Sequence, residues 1–318
     1  MDVKKTNLKR VIGKHKGKEK GPLLICIGAM HGNEPSGVNA ISKMLINLKT
    51  EPSNNPDFSY KGVFVGLIGN LQAYSLGQRF IKRDLNRMFI PEQIEILRSK
   101  PKDQLVAEEK ELMELLDVID QEIELSSAKK IIVLDLHTTS SSGGIFSIST
   151  EDRESIRMSI ELHAPVITGM LKGLKGTTLH YFNKETLDYD ITSLTFESGQ
   201  HQDPLSVNRA LAAITNCMRL IGSVKAEHVE NRHDQLLVEY SKELPKVVHL
   251  EERYDISPED NFRMKPNYKN FQLIEKGEML AEDRNGEIYA SCSGRILMPL
   301  YQEQGEEGFF IVRDKEAY

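Results

Sequence analysis

The chain has 318 residues, with 41 Lys plus Arg against 47 Asp plus Glu, for a formal net charge of −6. Hydrophobic residues at 39% and charged residues at 28% fit a globular chain with a sizeable core, and exclude a disordered or membrane-embedded one. The acidic balance disfavours bulk binding to nucleic acid or anionic lipid, yet leaves room for a small positive pocket. MDVKKTNLKR is charged with no apolar stretch behind it, so no secretory signal is expected, and the apolar runs are far too short to span a membrane. Cys26, Cys217 and Cys292 are scattered, odd in number and without a CxxC. That usage fits a reducing cytoplasm and buried small hydrophobes.

Leu23–Gly28 (LLICIG) is short, apolar and branched, the pattern of a buried strand. It runs into His31-Gly-Asn-Glu34-Pro-Ser-Gly37. Pro35–Leu48 then carries Val38, Ile41, Leu45 and Leu48 on one helical stripe, with Pro35 in the first turn. A His and a Glu three apart at a strand-to-helix junction can aim an imidazole and a carboxylate at one ion. Alone, HxxE is a weak signal and often a surface coincidence. Gly62–Ile68 predicts a second strand. Beyond it, Arg79-Phe-Ile-Lys82-Arg83-Asp84-Leu-Asn86-Arg87 gathers four positive charges and one negative in nine residues. Arg offers a planar fork to carboxylates and Asn a directed amide, so an anion site competes here with a solvated basic helix face. The position, after the carboxyl end of a strand, favours the anion site.

Leu105–Leu125 repeats Leu112, Leu115, Leu116 and Ile119 as a second amphipathic helix. The strand Ile131–Leu136 delivers Asp135-Leu-His137-Thr-Thr at its carboxyl end, where ligands bind in open α/β sheets. The Ser/Thr/Gly run from Thr138 to Gly144 marks an exposed loop rather than a core. His31, Glu34 and His137 then offer a His₂Glu set with a fourth position free for water, the arrangement of a catalytic zinc, one ion per chain. A third short strand, Leu194–Phe196, closes on Glu197. A carboxylate that does not ligate the metal suits a general base, and a capping or solvated Glu is the plainer alternative. Val207–Ile221 is a third helix. Strands interleaved with helices predict an α/β catalytic domain over residues 1–243, a mostly parallel sheet flanked by helices. After a polar helical stretch around Glu227–Glu243, Pro245 opens strand-and-turn signatures with turn cues at Asn285-Gly286 and Ser293-Gly294. These predict a small β-rich domain over residues 244–318.

Four motifs in register resemble one family. H-G-N-E (His31–Glu34), R-x-I-x-x-D-L-N-R (Arg79–Arg87), D-L-H-T-T (Asp135–Thr139) and F-E-S-G (Phe196–Gly199) are similar, in order, to those of the succinylglutamate desuccinylase/aspartoacylase group of zinc-carboxypeptidase-like enzymes. The resemblance covers about residues 20–220, and NYKNFQLIEKGEMLAED and GFFIVR look like that group's C-terminal domain. It implies a hydrolase of linear amide bonds acting on a small N-acyl amino acid. His31, Glu34 and His137 would hold Zn²⁺, and Glu197 would act as general base. Arg79 would face the developing oxyanion, and Asn86 and Arg87 would clamp a substrate carboxylate. Asp84 would brace the arginines, and Asp135 would support a ligand.

One departure is informative. The further arginine that aspartoacylases carry some ten residues before the catalytic glutamate is missing from Asn183–Phe196, which puts an N-acetylaspartate substrate in doubt. His201 reads either as pocket lining or as a solvated loop residue, and Tyr268, Tyr289 and Tyr301 are equal candidates to close the site. A metallocarboxypeptidase acting on short peptides and a non-catalytic zinc-binding module are the competing readings. Homo-oligomerisation is left open. No nucleotide site is expected, since Gly28–Gly37 matches neither a P-loop nor GxGxxG.

Overall fold

The structure, a computed structural model, describes residues 8–228 and 232–315. The first half alternates strands and helices. β1 (Val11–Lys16), β2 (Glu19–Gly28), α1 (Ser36–Asn54), β3 (Lys61–Ile68), α2 (Leu71–Leu76), α3 (Pro91–Ser99), α4 (Glu108–Ser126) and β4 (Ile131–Thr139) come first. β5 (Phe146–Ser149), α5 (Arg153–Glu161), β6 (Val166–Thr168), α6 (Met170–Gly173), α7 (Thr178–Tyr181), β7 (Ile191–Gln200), α8 (Ser206–Leu220) and α9 (Arg232–Ser241) follow. The remainder is strands: β8 (Val247–Asp255), β9 (Arg263–Met264), β10 (Leu273–Ile274), β11 (Met279–Asp283), β12 (Gly286–Tyr289), β13 (Gly294–Leu297) and β14 (Glu307–Asp314).

The main sheet has the order β1-β3-β2-β4-β7-β5-β6-β8-β14-β13-β10. Its centre, β3-β2-β4-β7, is parallel, and β5-β6-β8 form a second parallel run joined to it antiparallel through β7. Both faces of the centre are covered, which is why LLICIG and IIVLDL are apolar at nearly every position instead of alternating. Leu24 and Cys26 of β2 and Ile132 and Leu134 of β4 turn toward Ile41 and Met44 of α1 and Ala213 and Ile214 of α8. Their neighbours Leu23, Ile25, Ile27, Ile131 and Val133 turn the other way, onto Leu112, Leu115, Leu116 and Ile119 of α4. Each such fully buried aliphatic side chain contributes about 1.5–3 kcal/mol.

Strand β2 and helix α1 approach closely at Gly28: a Cβ there would lie 2.6 Å from the Val38 nitrogen. Ala29 follows with a positive φ of 53°. This strained step swings the chain out of the sheet toward His31.

The sheet is wider than the sequence pattern indicates. β1 carries Lys and His on an exposed edge and so lacks an apolar run, and β5 and β6 are only four and three residues long. The last strands form two groups. β8 pairs parallel with β6 and antiparallel with β14, so the main sheet passes without a break into the C-terminal residues. A separate antiparallel sheet, β12-β11-β9, stands apart. Its hairpin turns on Arg284-Asn285, one residue earlier than the Asn-Gly cue, with Gly286 at φ 123° opening β12. Among the described residues, no helix is long and apolar enough to cross a membrane.

Candidate active site

Registry places the site. His137 of β4 and Glu197 of β7 are direct partners across a parallel pair, and Gly28, which ends β2, is the partner of Leu136. The three strands therefore end side by side and bring His31, Glu34, His137 and Glu197 to one crevice.

The ligand set is buried and convergent. His31 Nδ1 lies 2.8 Å from Glu34 Oε1, and His137 Nδ1 lies 3.2 Å from Glu34 Oε2. One ligand atom from each of the three residues falls within 4.8 Å of the others. The far ring nitrogens meet carboxylates: Asp84 Oδ1 is 3.1 Å from His31 Nε2, and Asp135 Oδ2 is 3.0 Å from His137 Nε2, though off the line of a hydrogen bond. Asp135 Oδ2 also accepts from Thr178 Oγ1 at 2.8 Å. A histidine whose Nε2–H faces an aspartate turns its Nδ1 lone pair inward. Two such lone pairs then face one carboxylate, an arrangement that a cation at their centre would satisfy. The donor set fits zinc.

Electrostatics follow the same geometry. Burial pushes Glu34 up, but His31 and His137 override it and hold the carboxyl well below the usual range. Burial pulls His137 down, and Asp135 and Glu34 more than compensate, so its pKa lies well above that of a free imidazole. Asp84, buried beside His31 and Arg79, is held well below the carboxylate range despite its burial. Glu197 goes the other way. Burial raises it to about 7, and its Oε2 has no hydrogen-bond partner.

The arginine segment is not a helix face. It is a loop ending in a single turn, Leu85–Arg87, capped by Asp84, which accepts from the Asn86 N–H at 2.8 Å. Arg79 donates to Asp84 Oδ2 at 3.1 Å and approaches Glu34 Oε1 at 3.6 Å, so Asp84 braces both Arg79 and the His31 ring. Asn86 Oδ1 accepts from the Thr178 N–H at 3.1 Å. Arg87 Nη2 is 2.8 Å from both oxygens of Glu307, on β14, and Nη1 donates to the Asn86 carbonyl.

Sequence reasoning missed what holds that loop in place. Glu108, in the first turn of α4, is 1% exposed. Its Oε1 accepts from the Ile81 N–H at 2.6 Å and Asn70 Nδ2 at 3.2 Å, and its Oε2 from the N–H groups of Lys82 and Arg83 at 3.1 and 3.2 Å. Glu111, one turn on, accepts from Leu71 N–H and from Arg10. An acidic first turn looks like ordinary helix-dipole compensation in sequence. Only a preceding loop with three unpaired N–H groups distinguishes the two.

The C-terminal residues furnish one wall. Met298, Leu300, Gln302, Gly305, Glu307 and Phe310 line the pocket with Arg79, Asn86, Arg87 and the ligand set, in a crevice partly open to solvent. None of the three candidate tyrosines lines it. Tyr268 and Tyr301 bond to each other and within the C-terminal strands, and Tyr289 is exposed. His201 is mostly buried, bridging Thr138 Oγ1 at 2.7 Å and Gln302 Oε1 at 3.2 Å, and burial lowers its pKa. It ties the β4 end to the C-terminal wall.

Residues 20–221 match the family described as Succinylglutamate desuccinylase/Aspartoacylase catalytic domain. No curated protein matches the chain by sequence. Among solved structures, the product-bound ectoine utilization protein EutE (DoeB) from Ruegeria pomeroyi is 15% identical with a TM-score of 0.64, covering 95% of this chain and 87% of that one. The succinylglutamate desuccinylase from Vibrio cholerae is 19% identical at a TM-score of 0.62, with 93% and 82% covered. A mutant of murine aminoacylase 3 is 16% identical at a TM-score of 0.59, with 93% and 95% covered. At these identities the structures speak for the fold. The family match covers most of the chain and includes all four motifs, and the protein therefore belongs to the succinylglutamate desuccinylase/aspartoacylase family of deacylases.

Proposed function

We propose that the protein is a zinc-dependent hydrolase that cleaves the amide C–N bond of an N-acyl amino acid or a similar small carboxylate-bearing amide. The observation that carries this reading is the convergence of two Nδ1 atoms on the Glu34 carboxylate beside an unpartnered Glu197 oxygen. His31, Glu34 and His137 would hold Zn²⁺, one per chain, which when bound would supply Lewis acidity and lower the pKa of water. Glu197, raised by burial toward neutrality, takes the proton of the attacking water as its oxygen bonds to the carbonyl carbon. The C–N bond then breaks, and Glu197 returns that proton to the leaving amine. Arg79 faces the oxygen that gains charge, and Asn86 with Arg87 orients the substrate carboxylate. Residues 1–243 serve as the catalytic domain and residues 244–318 as the β-rich domain that narrows the pocket. The scattered thiols support a reducing, cytoplasmic setting.

The test is a screen of N-acyl amino acids beside short peptides, with metal analysis of the same sample. Glu197→Gln is expected to keep about one zinc per chain and lose about 10²–10⁴-fold in kcat. An unchanged kcat would sink the base assignment. Cleavage confined to peptides would replace the deacylase with a carboxypeptidase, and zinc with no cleavage anywhere would leave a binding module.

A further inference from the structure

The pocket's arginines are largely committed to its own carboxylates. Outside the His31, Glu34 and His137 cluster, its lining holds two arginines, Arg79 and Arg87, and two glutamates, Glu197 and Glu307. Arg79 is already committed to Asp84 and Glu34. Arg87 is committed to Glu307, whose side chain is only 11% exposed and whose two oxygens both sit 2.8 Å from Nη2. A second carboxylate, Glu306 Oε2, stands 3.7 Å from Arg87 Nε, but it is half exposed and screened. The lining also includes an apolar wall of Leu171, Leu174, Leu179, Met298 and Phe310, which pack in one cluster, together with Leu300.

We propose that Glu307 sets the charge of the substrate: by holding Arg87 from the C-terminal wall it leaves cationic capacity for one substrate carboxylate, repels a second, and with the apolar wall selects N-acyl amino acids bearing apolar side chains. The inference rests on the deacylase reading of the same site. A buried carboxylate beside an incoming carboxylate is a like-charge contact in a poorly solvated space, and discrimination by such contacts is strong. Glu307 belongs to a strand that joins the main sheet through β8, so it cannot drift aside as a loop residue would.

The experiment compares zinc-loaded wild type with Glu307→Gln on N-acetylleucine, N-acetylmethionine, N-acetylaspartate and N-acetylglutamate. Wild type is expected to favour the apolar pair in kcat/KM by about tenfold or more, and Glu307→Gln to cut that preference about tenfold through a lower KM for the acidic pair. Glu307→Asp, which keeps the charge, is expected to keep most of the preference. An identical preference in wild type and Glu307→Gln, or a wild type that favours the acidic pair, overturns the proposal. Calorimetry with the same four compounds on a Glu197→Gln background reads binding without turnover. If no protein cleaves any of them yet the binding preference shifts with Glu307→Gln, the deacylase reading falls and selection by Glu307 stands. An unmoved binding preference overturns it.

Discussion

Replacing Glu108 by Gln tests whether the arginine loop is held by one buried carboxylate. The glutamine keeps a carbonyl oxygen for the Ile81 N–H and Asn70, but turns an NH₂ group toward the Lys82 and Arg83 N–H groups that the second oxygen now accepts. Two bonds to a charged acceptor become two donor–donor contacts. Leaving a buried donor unpaired costs about 1–3 kcal/mol, and because Lys82 and Arg83 are exposed, water relieves part of it. A net penalty of about 2 kcal/mol on the active loop corresponds to roughly a 30-fold change in its population. Since the loop carries Arg79 and Asp84, kcat/KM is expected to fall, by at most that factor. Hydrogen exchange followed by mass spectrometry should show faster exchange of the Ile81–Arg83 amides while the helix α4 amides keep their protection. Glu108→Ala makes the better fold control, because the space it opens admits water to all three N–H groups. Exchange unchanged in Glu108→Gln, with kcat/KM within about twofold of wild type, would refute the reasoning.

Asp84→Asn and Asp135→Asn are each expected to weaken zinc about 10–100-fold, since either change loosens a histidine whose Nε2 faces that carboxylate; competition with a chelator measures it. His31→Ala is expected to lose the ion outright, and full metal content in that variant would remove His31 from the ligand set. The thiols give a test free of catalysis. Burial raises Cys217 to about 12 and lifts Cys26 well above its ordinary value, so neither forms thiolate as pH rises from 7 to 9. Only half-buried Cys292 should titrate with a disulfide reagent in the native protein, against three after unfolding.

The parts of the site that lie at strand ends were legible because an apolar run followed by a polar, chemically capable residue is a local pattern. Leu23–Gly28 led to His31 and Glu34, IIVL to His137, and LTF to Glu197. The loop Arg79–Arg87 was legible as charge but not as shape, since its conformation is dictated by Glu108, 25 to 27 residues away, rather than by its own sequence. Glu307 was not legible at all. Its partner lies 220 residues earlier, and QEQGEEGFF reads as an acidic turn. The tyrosines drew attention as polar aromatics, but the Tyr268 hydroxyl donates to Glu278 and that of Tyr301 to the Lys265 carbonyl, and aliphatic side chains line the pocket instead. Nor could periodicity anticipate that β8 extends the main sheet, because strand order is a property of long-range pairing.

That unbroken sheet makes the pocket a late event in the life of the chain. Asn33, in the loop that bears the ligands, shares Gln302 with His201 across 269 residues of sequence, and Arg87 waits for Glu307. During synthesis the ligand residues emerge early, but the wall against which a substrate rests arrives only with β14. Until then Glu34 and Glu197 lack the C-terminal side of their pocket. Closure of the last strands against β8 therefore coincides with the first moment at which the crevice can exclude solvent.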